Sequence, residues 1–277
     1  MFKCISPCKL NLFLYITGRR PDGYHSLQTL FALLDYGDEM TFEENGTGLE
    51  IRGPFDFDVK DNLIYKAHAL LEKISDRKIP VTVGVDKKIP AGGGLGGGSS
   101  NAGTVLLVLN RMFGLGIPRE ELVRRSVELG ADVPVFVNAH TAFAQGVGED
   151  LTDVDIPERW YLVVSPRLNV STAAVYADPD LRRDRQVRTL EELMRTPFVN
   201  DMQEVVAKKY AGVGQILRQL LKYGQSRMTG SGASCFAEFS SREEAERARQ
   251  SLSLGDAACF VAKCSNRSCL LDSLNKL

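Results

Sequence analysis

The sequence predicts a chain of mixed helices and strands, folded as one large or two moderate domains. Three observations point there. Its 277 residues, 44% of them apolar, can bury a substantial core. Short β candidates separated by turn residues fill the first hundred positions, and helical and strand patterns alternate after them. A glycine-rich run in residues 89–110 (IPAGGGLGGGSSNAGTVLLVLN) opens directly into a helical pattern, and a second small-residue turn, Thr229-Gly230-Ser231-Gly232-Ala233-Ser234, lies in the last third.

Taken in order, Lys3 to Ser6 and Leu10 to Ile16 read as two short strands broken by Pro7, and Gly18 to Gly23 (GRRPDG) is turn chemistry. Leu27 to Leu34 and Glu39 to Glu43 are further strands. Asp61-Asn62 caps a helix running to Ile74, with Ile64, Ala67, His68 and Leu71 on its apolar face, where His68 reads as a core or boundary residue. Val81 to Val85 alternates as a strand. Ser99 to Met112 is a helix by the spacing of Val105, Leu106, Leu109 and Met112, stopped at Gly114, and Pro118 to Leu129 is a helix with Pro in its first turn and Gly130 as its stop. Thr141 to Gln145, Tyr161 to Ser165, Phe236 to Phe239 and Cys259 to Ala262 complete the strands. Glu204 to Tyr210, Val213 to Tyr223 and Arg242 to Ser251 complete the helices. Leu181 to Arg188 carries four arginines and reads as a solvated loop, and no internal repeat is present.

Composition narrows the function. A net charge of −1 calls for neither a nucleic-acid nor a membrane partner, and MFKCISPCKL lacks the apolar core of a signal, so a cytoplasmic protein is expected. The six cysteines form no C-x-x-C pair and there are only three histidines, so free thiols and no metal cluster are expected.

Six of the seven residues from Gly92 to Gly98 are glycine, a composition suited to a backbone that must bring its N–H groups close to something. A glycine loop opening a helix offers unsatisfied donors at the positive end of the helix dipole, which is where phosphate binds; the alternative is a flexible linker. Gly92, Gly94 and Gly97 satisfy G-x-G-x-x-G only as any glycine run would. The Walker pattern fails for want of a Lys after Gly97 or Gly98, and neither H-R-D nor D-F-G occurs. Asp132, between the Gly130 stop and Pro134, can be a turn former or helix cap on spacing alone. The two small-residue turns can serve unrelated hairpins or close on one phosphate site.

Pro7-Cys8-Lys9-Leu10-Asn11-Leu12, Pro90 through Ala102, and Thr229 through Ser234 resemble, in order and spacing, the three motifs of the GHMP kinases, named for galactokinase, homoserine kinase, mevalonate kinase and phosphomevalonate kinase. Gly18 to Asp38 and Leu129 to Phe136 are similar to the branch that phosphorylates a cytidine diphosphate-linked methylerythritol in the non-mevalonate isoprenoid pathway. The likeness is weakest across residues 45–58 and 178–187.

The resemblance implies an α+β, GHMP-kinase-like two-domain fold with the active site in the interdomain cleft. Residues 1–155 would form the N-terminal domain and 156–277 the C-terminal domain. It implies transfer of phosphate from ATP, with Mg²⁺, to the 2-hydroxyl of the methylerythritol unit, giving the 2-phosphate and ADP. By the same resemblance Lys9 and Asp132 are catalytic, and Pro90, Ala91, Gly92, Gly93, Gly94, Leu95, Gly96, Gly97, Gly98, Ser99, Ser100 and Asn101 hold the nucleotide. Asn11 meets the substrate's polyol end, Tyr24, His25 and Phe31 form the cytidine pocket, and Thr172 and Tyr176 lie near the substrate and over the cytosine ring. Ala173 stands where a proline is common in the family. No acidic pair stands out as a metal ligand, which leaves Ser99, Ser100 and the nucleotide's own oxygens. The partner expected is the small-molecule substrate, with no nucleic acid or membrane, and the chain as a monomer or weak homodimer. Other readings are a GHMP kinase for an unrelated alcohol, a non-catalytic nucleotide-binding regulator, and a dinucleotide-binding oxidoreductase.

Overall fold

The computed structural model describes residues 1–253 and 255–277. Along the chain it runs β1 (Phe2–Arg19), β2 (His25–Glu44), β3 (Leu49–Arg52), α1 (Leu63–Ser75), β4 (Val81–Asp86), α2 (Gly97–Met112), α3 (Arg119–Ser126), α4 (Val133–Asn138), β5 (Ala142–Gln145), β6 (Asp150–Asp153) and β7 (Trp160–Ser165). It continues with α5 (Thr172–Tyr176), α6 (Leu190–Met194), α7 (Gln203–Lys209), α8 (Ala211–Leu220), β8 (Ser226–Met228), β9 (Cys235–Phe239), α9 (Arg242–Ser251), β10 (Ala258–Ser265) and α10 (Cys269–Leu274). Among the described residues the strands make one sheet in the order β3-β4-β2-β10-β7-β9-β8, with β1 and β5 also paired to β2 and β6 paired to β5. The expected mixed α+β fold is what the chain adopts.

Strand β10 joins the two halves. Residues 258–263 pair antiparallel with β7, and Cys264 and Ser265 pair with Leu34 and Leu33 of β2. Leu270 and Leu271 of α10 then enter the apolar core under α1 and α2. A second core lies under α7, α8 and α9, and a third, around Leu10, Phe13, Leu30, Tyr161 and Phe236, lies between the two. Division at residue 155 remains a proposal, and the closing strand and helix cross it.

Two pairs of short strands expected from the sequence are single long ones. Pro7 does not end β1, because its missing N–H falls where the β1–β2 register slips: β1 advances from Pro7 to Lys9 while β2 moves from Gly37 to Leu33. Gly37 allows that crossing, since a Cβ there would overlap the Ser6 carbonyl. A second slip lies between Asn11 and Leu14. A third lies between Ile16 and Gly18, and Lys9 and Asn11 sit on the stretch between the first two.

The four arginines of residues 181–188 are not all solvated. Arg185 donates to Asp201 Oδ1 at 2.8 Å, and the Asp201 side chain, 2% exposed, also accepts the Ile16 N–H at 2.9 Å. Arg185 and Arg188 both lie over the Tyr15 ring, at 5.4 and 5.1 Å. Removing the arginine leaves the buried Asp201 carboxylate uncompensated, so Arg185→Ala should lower unfolding free energy by about 3 kcal/mol in urea melts. An unchanged midpoint would mean the pair is only a contact. The six cysteines are unpaired, as expected, and burial pushes the Cys4 thiol up to about 12.

Candidate active site

The glycine loop has the conformation its composition suggests. Gly92, Gly94 and Gly96 have φ of 66°, 75° and 74°, in the left-handed region that L side chains avoid. Gly96 is the N-cap of α2, whose first intrahelical bond is donated by the Ser100 N–H to the Gly96 carbonyl at 2.8 Å. The N–H groups of Gly97, Gly98 and Ser99 therefore lie ahead of the helix ladder, free for an anion. The second small-residue turn packs on this loop: the Ser234 N–H donates to the Gly93 carbonyl at 3.1 Å, and a Cβ on Gly94 would overlap the Thr229 carbonyl. The two turns thus meet at one place.

A cavity of about 650 Å³ follows the loop, lined by residues 90–99 and Asn101, with Phe55, Phe57, Asn62 and Lys87 opposite. Ser100 does not line it. Its fully buried hydroxyl is spent on Ser6 Oγ at 2.7 Å and on the Pro7 carbonyl, so it ties α2 to β1. Asn101 is tied down as well, donating to Asp38 Oδ2 at 2.9 Å and Ser6 Oγ at 3.0 Å. Asp38, fully buried, pairs with Lys87 and accepts the N–H groups of Lys88 and Ile89 at 2.8 and 2.9 Å, which fixes the entry to the loop. Leu95 turns its side chain into the central core, and its carbonyl accepts the Lys9 N–H at 3.1 Å.

On the other side of the loop, Lys9 is buried, with 1% of its surface exposed. Its ammonium finds three acceptors: Asn11 Oδ1 at 2.6 Å, the Gly94 carbonyl at 3.0 Å and Asp132 Oδ2 at 3.3 Å. Three donors are thereby matched to three oxygens. The ammonium also lies 5.3 Å from the centre of the Phe31 ring. Asn11 is held in turn, donating to Thr29 Oγ1 at 2.9 Å and receiving the Thr229 hydroxyl at 3.3 Å. Asp132 occupies the N-cap of α4 but makes no side-chain capping bond; its carboxylate reaches toward Lys9, with 38% of the side chain exposed.

Lys9, Asn11, Phe31 and Asp132 line a second cavity, of about 860 Å³, with Tyr24, His25, Thr172 and Tyr176. Gly94 and Ser99 line both cavities. The Thr172 hydroxyl is 2.7 Å from that of Ser231. His25 and Tyr176 stack on each other, ring centres 4.6 Å apart and 16° from parallel. A base between two rings needs roughly 7 Å, twice the contact distance, so these two do not form a slot; Tyr24, 65% exposed, offers a free aromatic face. His25 Nε2 is buried without a partner. Burial, then the charges of Arg183 and Arg19, holds its imidazole below the usual range, and burial, then Asp132, pushes the Tyr176 phenol up to about 12. Both rings are therefore neutral at pH 7.

The sequence pattern of the GHMP kinases N terminal domain matches residues 62–140, and that of the GHMP kinases C terminal domain matches residues 179–255. The chain is 47% identical to the 4-diphosphocytidyl-2-C-methyl-D-erythritol kinase of Mannheimia succiniciproducens, over 88% of this chain and 81% of that protein. The chain belongs to the GHMP kinases. A solved 4-(cytidine 5'-diphospho)-2C-methyl-D-erythritol kinase superposes on this GHMP kinase with a TM-score of 0.83 at 30% identity, covering 95% of this chain and 99% of that one. The homoserine kinase of Cytophaga hutchinsonii shares the fold, with a TM-score of 0.71 at 16% identity, over 96% of this chain and 95% of that one. Like other GHMP kinases, the chain is an ATP-dependent phosphotransferase.

Residues that sequence reasoning missed in this GHMP kinase also line the cavities. Lys87 faces the first; Arg19, Thr29, Arg183 and Ser231 face the second. Arg183 belonged to a run that reads as charged surface, and nothing in its spacing separates it from Arg182. Ser231 lies in the turn quoted as a motif, though its own part was not foreseen.

Proposed function

We propose that the chain transfers the γ-phosphoryl group of ATP to the 2-hydroxyl of the methylerythritol unit of 4-diphosphocytidyl-2-C-methyl-D-erythritol, giving the 2-phosphate and ADP. The observation that carries this reading is the Lys9–Asp132 pair at the wall, Gly94 and Ser99, common to both cavities. A nucleotide lying along the glycine loop directs its terminal phosphate at that wall, and an alcohol in the second cavity meets it from the other side. Phosphoryl transfer needs position and charge neutralisation more than covalent help. Asp132 accepts the hydroxyl proton as the oxygen–phosphorus bond forms and the bond to ADP breaks. The Lys9 ammonium, held by Asn11 and Gly94, lies against the developing charge.

Mg²⁺ carried with the nucleotide supplies further neutralisation of the triphosphate. Among the described residues no group of three His, Cys, Asp or Glu side chains is placed to hold a metal. With Ser100 spent on β1, the Ser99 hydroxyl, the nucleotide's own oxygens and the carboxylates of Asp56 and Asp61, which line the same cavity, are the oxygen ligands that would be within the cavity's reach. No helix among the described residues is long and apolar enough to cross a membrane. A cytoplasmic monomer or weak homodimer acting on a small molecule, without nucleic acid, completes the proposal.

The test is a coupled ADP-release assay with the diphosphocytidyl substrate, and with mevalonate and homoserine as controls. Turnover confined to the first is expected, and comparable turnover of either control would overturn the assignment. The base pocket can be checked separately. Stacking is worth roughly 1–3 kcal/mol per base, so Tyr176→Ala should raise KM for the cytidine and uridine forms together by about 5- to 150-fold. His25→Ala should instead narrow the gap between the two forms, because His25 lines the substrate cavity and its Nε2 has no partner among the described residues, which makes it a polar group that the base edge can satisfy once the substrate is seated. If Tyr176→Ala leaves both KM values unchanged, Tyr176 serves only to hold His25.

A further inference from the structure

We infer that Arg19 and Arg183 form the seat for the diphosphate of the nucleotide-linked substrate, an inference that rests on the function proposed above. Four charged side chains line the substrate cavity, the cations Lys9, Arg19 and Arg183 and the carboxylate of Asp132, which sums to +2 in a chain whose net charge is −1. Lys9 and Asp132 neutralise each other at the transfer wall. The surplus belongs to the two arginines. Both stand near His25, whose imidazole their charges help to hold down. They therefore lie toward the base pocket rather than at the wall, on the side where a diphosphate linking the base to the alcohol has to run.

The neighbours of these two arginines are committed elsewhere. Arg20 is held by Asp22 at 2.8 Å, Arg182 by Asp184 at 3.0 Å, and Arg185 by Asp201. Arg19, at the end of β1, has no ion pair with any described residue. Among the described residues Arg183 donates only to carbonyls: Tyr176 at 2.7 Å, Asp178 at 2.6 Å and Leu181 at 2.9 Å. Neutral acceptors fix the guanidinium without cancelling its charge. The same three bonds tie the charge to the segment that carries Tyr176, so ring and cation are set by one clamp. Arginine suits this place because its planar fork keeps donors available to phosphate oxygens while others hold the backbone.

The experiment measures dissociation constants of cytidine, CMP and CDP by titration calorimetry on the full chain, for wild type, Arg19→Gln and Arg183→Gln, with ATP titrated alongside. Wild type should bind CDP more tightly than cytidine, and raised salt should shrink that advantage. Arg19→Gln should reduce the ratio of cytidine to CDP dissociation constants by about 5- to 10-fold, the size of one partly exposed charge contact, with cytidine and ATP affinities kept. Arg183→Gln should reduce the same ratio and weaken cytidine too, since it loosens Tyr176. A ratio unchanged in Arg19→Gln, or a wild type that binds CDP no better than cytidine, overturns the seat. So does an Arg183→Gln that loses only base affinity. A wild type that binds none of the three ligands overturns the proposed function itself.

Discussion

Asp132→Asn should lower turnover by about 10²–10⁴-fold while leaving the fold and ATP affinity near wild type, the usual span for loss of a general acid–base group. Structure supports expecting a kinetic defect rather than a folding one. The side chain caps no helix and is 38% exposed, and among the described residues it pairs with Lys9 alone, at 3.3 Å. The amide keeps the shape and can still accept from Lys9, but it cannot take the hydroxyl proton. Lys9→Ala should also slow turnover, and the double variant should be far less than multiplicatively worse, because residues acting as one unit are not additive. Single-turnover rates with thermal melts on the same samples decide it. Near-normal rates in Asp132→Asn would return that residue to a turn former.

Gly96→Val should weaken ATP binding severely, and the structure separates it from its neighbour. Gly96 has φ of 74°, and a Cβ there would stand 2.8 Å from the Phe136 ring and 3.2 Å from Lys9 Cε. Holding a β-branched residue in that region costs about 1–3 kcal/mol, so the empty loop should relax out of it, and restoring it on binding costs about 5- to 150-fold in affinity before the displaced Phe136 and Lys9 are counted. Turnover should fall as well, since Lys9 is pushed. At Gly97, inside the helix and without a positive φ, a Cβ would stand 3.1 Å from the Ile89 Cγ2 methyl, 3.3 Å from Ile89 Cβ and 3.4 Å from Lys87 Nζ, none of them as close as the Phe136 ring is to Gly96. Gly97→Ala should accordingly be much milder. Calorimetric titration of ATP and CDP with both variants provides the check, and equal loss of the two ligands in Gly96→Val would indicate misfolding instead.

Much of this was legible in the residues. The glycine run announced a phosphate loop because few other uses tolerate such backbone freedom, and the helices from Leu63 and Gly97 lie within two residues of where caps and periodicity placed them. The long strands were misread because Pro7 and Gly37 look like breaks, although each serves the register slip. Helix α4 escaped because five of its six residues, Val133 to Val137, are buried, which leaves no polar face to give a period. Helices α5 and α6, at five residues each, are too short to give one. At the site, the spacing around Asp132 favours a turn former or cap, and Lys9 carries no local signature. Their pairing is made by a strand between two register slips and a helix start distant in sequence, so only the resemblance to known kinases could foresee it.

Strand β10 also bears on how the chain comes to be folded. The N-terminal half contains the nucleotide loop and both charged residues of the transfer wall, yet its sheet is completed by Cys264 and Ser265 and its core by Leu270 and Leu271. A growing chain that has passed residue 155 already holds the glycine loop, Lys9 and Asp132 and still lacks those four residues. Closing so long a loop carries an entropic cost and slows folding. The apolar surface under α1 and α2 thus stays partly open to solvent, or to a chaperone, until synthesis has run past Leu271.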